Sequence, residues 1–375
     1  MKEGWEYKTL GAVCDLYQPK TISTKEMVSD GLYDVFGANG KIGKYHSYNH
    51  ENPEILMTCR GATCGNINIS SPKSWINGNA MVVHIKDEEK LDRQFLVYSL
   101  IHVDKAHIIT GAAQPQITRQ TLSPLEIGYP SITEQQAIVD YLDSAFTKID
   151  AMKENAEKAL NEAKALFQAL LKKMLEPKEG WEEKKLKNIV ISITDGDHQP
   201  PPKSNDGIPF ITISNIDKNS NKIVFENTFY VPQSYFGALK KDRIPQNGDV
   251  LYTVTGSFGI PVLIDFQKDF CFQRHIALIR PNIDMLSPTY LFYWILSSYA
   301  TSQAEDTATG AAQRTVSLNS LRNFNIHVPP LSEQQAIVAT LDSFKSKVER
   351  LQENFNKISQ ECDALKQAIL RQVFE

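Results

Sequence analysis

Three stretches carry residue types that could do chemistry. Asp195-Gly196-Asp197-His198-Gln199-Pro200 sets carboxylates beside an imidazole. That is the makeup of an acid–base pair, or of a polar turn offering hydrogen-bonding groups, and the turn is the better reading. Cys59 and Cys64, with His46 and His50 upstream, have donor types that hold zinc. There is no second close cysteine pair, so ordinary thiols in a strand and loop are expected and no metal. Gly37-Ala38-Asn39-Gly40-Lys41-Ile42-Gly43-Lys44 has the glycines and lysine of a phosphate loop. Its glycine spacing is wrong for that motif and Tyr45 replaces the hydroxyl residue, so it reads as a glycine turn showing Lys41 and Lys44. The sequence holds no Gly-x-Ser-x-Gly elbow, no His-Glu-x-x-His and no glycine-rich cofactor fingerprint. It also lacks the Asn/Asp-Pro-Pro-aromatic tetrapeptide of amino-methyltransferases, which Pro200-Pro201-Pro202 and Val328-Pro329-Pro330 do not supply. The expectation is a chain with no catalytic residue and no cofactor of its own.

The elements that position these residues come in two copies. Residues 110–176 align without a gap onto 309–375, with 28 of 67 positions identical. Thr110-Gly111-Ala112-Ala113-Gln114 recurs as Thr309-Gly310-Ala311-Ala312-Gln313, and Glu134-Gln135-Gln136-Ala137-Ile138-Val139 as Glu333-Gln334-Gln335-Ala336-Ile337-Val338. Glu3-Gly4-Trp5 returns as Glu179-Gly180-Trp181, so the second copy is longer between its anchors. A repeat of this size implies two similar domains, each followed by similar linking structure.

Each tail reads as a long heptad helix. The first seam is read as Leu142, Ala145, Ile149, Met152, Ala156, Ala159, Ala163, Leu166 and Leu170, and the second as Leu341, Phe344, Val348, Leu351, Phe355, Ile358, Cys362, Leu365 and Ile369. Pro177 stops the first helix, and Thr133 and Ser332 mark the starts. The first seam is small where the second is large, so the helices are expected to pair antiparallel within the chain rather than with a second copy. That pairing would bring Glu375 near Met1.

Residues 1–130 and 178–328 read as mixed α and β on one plan. The strand and two-glycine loop of Pro53–Gly65 parallels Gly248–Gly259, and Phe95-Leu96-Val97-Tyr98 parallels Tyr290-Leu291-Phe292-Tyr293. The fold class expected is α+β: two mixed domains and a long antiparallel intrachain coiled coil, related by a pseudo-twofold repeat. Charge is nearly balanced, with 40 basic and 44 acidic side chains and a net charge of −4. A protein gripping nucleic acid alone through phosphates would show a basic excess. Five cysteines, a polar N-terminus and no long apolar run point to a reduced cytoplasmic protein without a membrane span.

The repeated Thr-Gly-Ala-Ala-Gln, the Pro-x-x-Glu-Gln-Gln-Ala-Ile-Val segment at Pro330 (Pro130 standing one residue further from its Glu-Gln-Gln) and the heptad tails together resemble the specificity (S) subunits of Type I restriction–modification systems. The Gly-Trp-Glu openings (Gly4-Trp5-Glu6…Leu10 and Gly180-Trp181-Glu182…Leu186) share that resemblance, which spans essentially the full length. It implies target-recognition domains at 1–132 and 177–331, and conserved helices at 133–176 and 332–375. It further implies that each domain reads half of a bipartite double-stranded DNA target and that the coiled coil fixes the spacer. Two methyltransferase (M) subunits, which carry S-adenosylmethionine and flip an adenine, would dock on the helices, and restriction–translocase (R) subunits would join through the complex. The motifs transfer no base contacts. Loop residues with groove-edge chemistry are Asn39, Lys41, Lys44, Arg60, Thr63 and Asn79 in the first domain, and His198, Gln199, Lys203, Thr255, Ser257, Arg274 and His275 in the second. Gln114 and Gln313 are assigned to the domain–helix junction. The alternatives are a coiled-coil adaptor that reads no DNA and a fused methyltransferase.

Overall fold

The computed structural model describes residues 2–375 except 112, 113, 197, 199 and 312. The chain divides into two compact units, Met1–Ala156 with Phe355–Glu375, and Glu157–Asn354. The division cuts both long helices, Ile132–Met174 and Leu331–Phe374, so each helix contributes to both units.

In the first unit the strands are β1 (Glu6–Thr9), β2 (Cys14–Tyr17), β3 (Tyr33–Gly37), β4 (Gly40–Tyr45), β5 (Ile55–Thr58), β6 (Ile67–Ile69), β7 (Trp75–Ile76), β8 (Ala80–Ile85) and β9 (Glu126–Tyr129). They form an antiparallel sheet β2-β8-β5-β6, a smaller sheet β4-β3-β7 and the pair β1-β9. Strand β5 is buried throughout because apolar layers cover both faces. Ile55 and Met57 pack with Met81, Val83 and the helix Arg93–His102, while Leu56 packs with Phe36, Ile76 and Val82. The two-residue period of a strand feeds two cores from one continuous apolar run.

The second unit repeats this plan. Its strands are β10 (Glu182–Lys185), β11 (Val190–Asp195), β12 (Ile208–Ile211), β13 (Ile216–Asp217), β14 (Lys222–Ile223), β15 (Phe229–Val231), β16 (Val250–Thr253), β17 (Pro261–Leu263), β18 (Cys271–Phe272), β19 (Ile276–Pro281) and β20 (Asn325–Val328). The sheets are β11-β19-β16-β17, β15-β12-β18 and the pairs β10-β20 and β13-β14. The hairpin β13-β14 and the helix Gln233–Gly237 occupy the longer interval that the sequence showed.

The long helices pair antiparallel within each unit. In the first, Lys153 meets Asp363 at 3.3 Å and Lys366 meets Asp150 at 2.6 Å. In the second, the Lys164 ammonium donates to Gln352 at 2.8 Å and Phe167 stacks on Phe344 at 6.2 Å. The C-terminus returns to the start of the chain as expected: the Lys2 ammonium donates to the carbonyls of Gln372 and Val373, and Trp5 meets Phe374 edge-on.

The seam itself needs correction. Leu142, Ile149, Ala156, Ala163 and Leu170 face inward as read, but the intervening inward positions are Phe146, Lys153, Leu160 and Phe167, one residue later than expected. Met152 is 59% exposed and Leu166 61%, and Ala159 is exposed. In the second helix Leu351 is 36% and Leu365 48% exposed, while Gln352 and Lys366 take the inward places. The first helix carries apolar residues at two adjacent heptad positions, and only one of the two lies on the seam; the second places polar Gln352 and Lys366 inward beside exposed Leu351 and Leu365. The helix starts are also earlier than Thr133 and Ser332. The Glu134 amide donates to Ser131 Oγ at 3.4 Å, so Ser131 caps the first helix.

Candidate nucleic-acid interface

Each unit turns one end of its four-stranded sheet into a cluster of polar loops. In the first unit this is the end where β2 and β5 finish and β8 and β6 begin, with Tyr17 opposite Val82 and Thr58 opposite Ala80. Arg60 and Thr63 lie in the loop that follows β5, and Asn79 lies just before β8. The Cys59 amide donates to the Asn79 carbonyl at 3.4 Å, holding the two loops together. Asn39 reaches the same end from the β3–β4 turn, accepting from Asn66 at 3.4 Å, while Thr58 Oγ1 donates to the neighbouring Ala38 carbonyl. Arg60, Asn79 and Asn39 are exposed and Thr63 is half-buried.

Lys41 and Lys44 lie on β4 in the second sheet. The Lys41 ammonium is tied to Asp34 at 2.6 Å, and the Lys44 carbonyl accepts from the Val28 amide. The phosphate-loop stretch is a β3–β4 hairpin whose register shifts at Ile42, with Gly37 opposite Gly40. Cys59 is fully buried and burial pushes its thiol up to about 11. Among the described residues no three His, Cys, Asp or Glu side chains gather as a metal site.

In the second unit the matching end joins the finish of β11 and β16 to the start of β19 and β17, with Asp195 opposite Ala277 and Thr253 opposite Ile276. Asp195 accepts from the His198 ring at 2.8 Å and faces Arg243 at 3.6 Å. The acid–imidazole pair therefore exists, with Arg243 as an additional cation that the sequence did not indicate. Arg274 and Ser257 are exposed on the neighbouring loops. His275 is half-buried and its Nδ1 lies 3.1 Å from Thr255 Oγ1. Burial first, then the charges of Arg274 and His198, hold the His275 imidazole below its ordinary pKa. Thr255 does not offer a surface: it is 5% exposed, and its hydroxyl is held between His275 and Thr315. Lys203 stands over the Phe229 ring of the second sheet at 5.2 Å. Gln199 lies outside the described residues.

The repeated Thr-Gly-Ala-Ala-Gln segments are at these same sheet ends, and not at the domain–helix junction. Thr110 and Gln116 exchange both backbone hydrogen bonds, as do Thr309 and Thr315. The Gly61 amide donates to the Pro115 carbonyl and the Gly256 amide to the Arg314 carbonyl, each at 3.0 Å. The junction is made instead by Gln135 and Gln334, both fully buried. Gln135 donates to the carbonyls of Lys90 and Pro130 and accepts from the Asp92 amide, each at 2.8 Å. Gln334 does the same with Met285, Pro329 and Ser287. A second tie runs from Tyr98 to Asp143 and from Tyr293 to Asp342, the latter at 2.5 Å.

Comparison with known proteins agrees with this duplicated plan. The family model described as the Type I restriction modification DNA specificity domain matches residues 2–162 and 178–360. The Type I restriction enzyme EcoBI specificity subunit of Escherichia coli is 22% identical over 76% of this chain and 66% of its own length. Among solved structures, a chain described under the complex assembly and conformational transition of the type I R-M system superposes over 100% of this chain and 98% of its own, with a TM-score of 0.74 at 19% identity. The HsdS subunit from Thermoanaerobacter tengcongensis covers 100% and 97%, with a TM-score of 0.54 at 20% identity. The chain belongs to the family of Type I restriction–modification DNA specificity (S) subunits.

Proposed function

We propose that each unit reads one half of a bipartite DNA target through the loops at its sheet end, and that the chain itself performs no catalysis. The observation that carries this reading is one sheet end built twice with different side chains. Arg60, Thr63 and Asn79 stand in the first, and Ser257, Arg274 and His275 stand at matching places in the second. A common scaffold with unlike loops is what reading two unlike half-sites requires. The boundaries 1–132, 133–176, 177–331 and 332–375 then separate reading domains from spacer helices.

The helices would also carry two adenine-N6 methyltransferase subunits, through which restriction subunits join. The corrected seam supports this. Met152 and Leu365 sit at the same level of the first unit's antiparallel pair, flanking the seam on one side, and Leu351 and Leu166 do so in the second. Each unit thus leaves an equivalent apolar strip beside its seam, which suits two copies of one partner. S-adenosylmethionine would be held by those partners. No helix among the described residues is long and apolar enough to cross a membrane.

The test is a map of methylated adenines in a host expressing this chain with its methyltransferase, against the same host lacking the chain. One split motif that disappears without the chain is the expected result; methylation unchanged by its removal would favour an adaptor that reads no DNA. Inserting seven residues after both Ala156 and Asn354 keeps the heptad phase. It adds about 10 Å of helix and should lengthen the spacer by roughly three base pairs; an unchanged spacer defeats the ruler.

A further inference from the structure

The two Thr-Gly-Ala-Ala-Gln segments stand at the sheet ends, one in each unit. Their sequence is identical in both units, whereas the loops they are bonded to differ: Arg60-Gly61-Ala62-Thr63-Cys64-Gly65 in one and Thr255-Gly256-Ser257-Phe258-Gly259 in the other. Their glycines are set the same way twice. Gly111 has φ +87° and Gly310 φ +107°, and a Cβ on either would lie 2.5 or 2.4 Å from the carbonyl oxygen of Gln114 or Gln313. Glycine is therefore required for the chain to fold back on itself there. Each segment is clamped a second time by the residues that follow, the Ile117 amide donating to the Cys59 carbonyl and the Val316 amide to the Val254 carbonyl, both at 2.9 Å. Gln114 and Gln313 are exposed, and neither side-chain amide has a hydrogen-bond partner among the described residues. A fixed hairpin with a free amide, duplicated beside unlike readers, contributes nothing to telling the two half-sites apart. It suits what any two half-sites share.

We propose that Gln114 and Gln313 donate to sugar–phosphate oxygens, one at each half-site, as sequence-independent positioning contacts that set the register of the reading loops. Backbone contacts of this kind orient a protein on the duplex without carrying sequence information. A neutral amide adds no charge, in keeping with the chain's near-neutral balance. The proposal rests on the reading that these sheet ends face DNA.

The experiment uses the full chain in complex with its methyltransferase. Binding is measured to the duplex carrying the mapped motif and to a scrambled duplex, for wild type, Gln114→Ala, Gln313→Ala and Gln114→Lys. Each alanine variant should bind both duplexes about fivefold more weakly, with base preferences and thermal unfolding unchanged. Gln114→Lys should recover affinity with a steeper salt dependence, since a cation there would release a counterion. Unchanged affinity overturns the proposal. So does a loss confined to the motif duplex, which would mean base reading, and so does a fall in melting temperature with no recovery by lysine, which would mean a structural role. A wild-type complex that prefers neither duplex would sink the specificity reading alone; equal weakening of both duplexes by the alanine variants would still support the backbone contact.

Discussion

The two units place a buried acid and a base at the same point of the same sheet, and they fill it differently. In the first, Glu54 lies just before β5 and accepts from His84 Nδ1 on β8 at 3.0 Å. In the second, Asp249 lies just before β16 and receives Arg280 from β19 through two hydrogen bonds, 2.9 Å from Nε and 2.7 Å from Nη2. The registers make the pairs equivalent, since Ile55 faces Val83 and Val250 faces Ile279. The second pair is dry: the Asp249 side chain is 3% exposed and Arg280 16%, against 10% for Glu54 and 49% for His84. In the second pair a permanent cation meets the carboxylate in two-point contact. In the first, burial raises the Glu54 carboxyl above the ordinary range, and its partner is a half-exposed imidazole. One scaffold position therefore tolerates a fixed ion pair or a titrating one, provided that the buried carboxylate is answered.

That contrast can be broken by substitution. Arg280→Met leaves the buried Asp249 carboxylate with the Gln246 amide and without its cation and should cost about 3 kcal/mol, whereas His84→Met should cost under about 1 kcal/mol because water already reaches that site. Hydrogen exchange of the β16 and β5 amides reads the two units separately; equal losses would show the pairs to be energetically alike. Where the units are identical, the effects should match. Gln135→Ala and Gln334→Ala each strand two carbonyls and an amide at the helix start, and each should destabilise its own unit by about 2 kcal/mol. A large difference between them would mean that one helix start is held by something else.

Reading should divide as the units do. Arg60→Ala should weaken recognition of one half-site about tenfold and Arg274→Ala the other, measured as methylation of variant targets. Equal loss at both halves by either variant would end the modular account. The smallest effect concerns pH. Because the Glu54 pKa is raised on folding, the folded first unit binds more protons than the unfolded chain in the range just above ordinary carboxylates. That contribution stabilises the fold as pH falls and is lost as pH rises. Glu54→Gln should therefore gain slightly on the wild type as pH climbs from about 5 to 7. A β5 exchange difference that does not vary with pH would remove the titrating pair from the comparison.

The repeat, the two mixed domains, the intrachain pairing and the family were all legible in the residues, because a duplication of 28 identities in 67 positions needs no geometry to be seen. The helix seam was legible only in part. Leu142 and Ile149 were read correctly, but Met152 and Leu166 are as apolar as Phe146 and Leu160, and hydrophobicity alone does not say which of two adjacent stripes faces a partner. The Glu-Gln-Gln motif was visible as a signal, while its work was not. A glutamine is an ordinary surface residue until the fold closes three backbone groups around Gln135.

The candidate interface shows the same division. Arg60, Asn79, Arg274 and His275 could be chosen by type and loop position, whereas the burial of Thr255, the capture of Lys41 by Asp34 and the arrival of Arg243 beside Asp195 depend on segments remote in sequence. The sequence by itself determined the duplicated architecture and the absence of catalytic motifs, both of which are properties of local order along the chain. Only the tertiary structure decided which apolar stripe is buried, which glutamine is a latch and which is exposed beside the sheet-end loops. Burial and hydrogen bonding are set by neighbours that folding brings together, and residues such as Asp249 and Arg280 meet only when β16 and β19 pair.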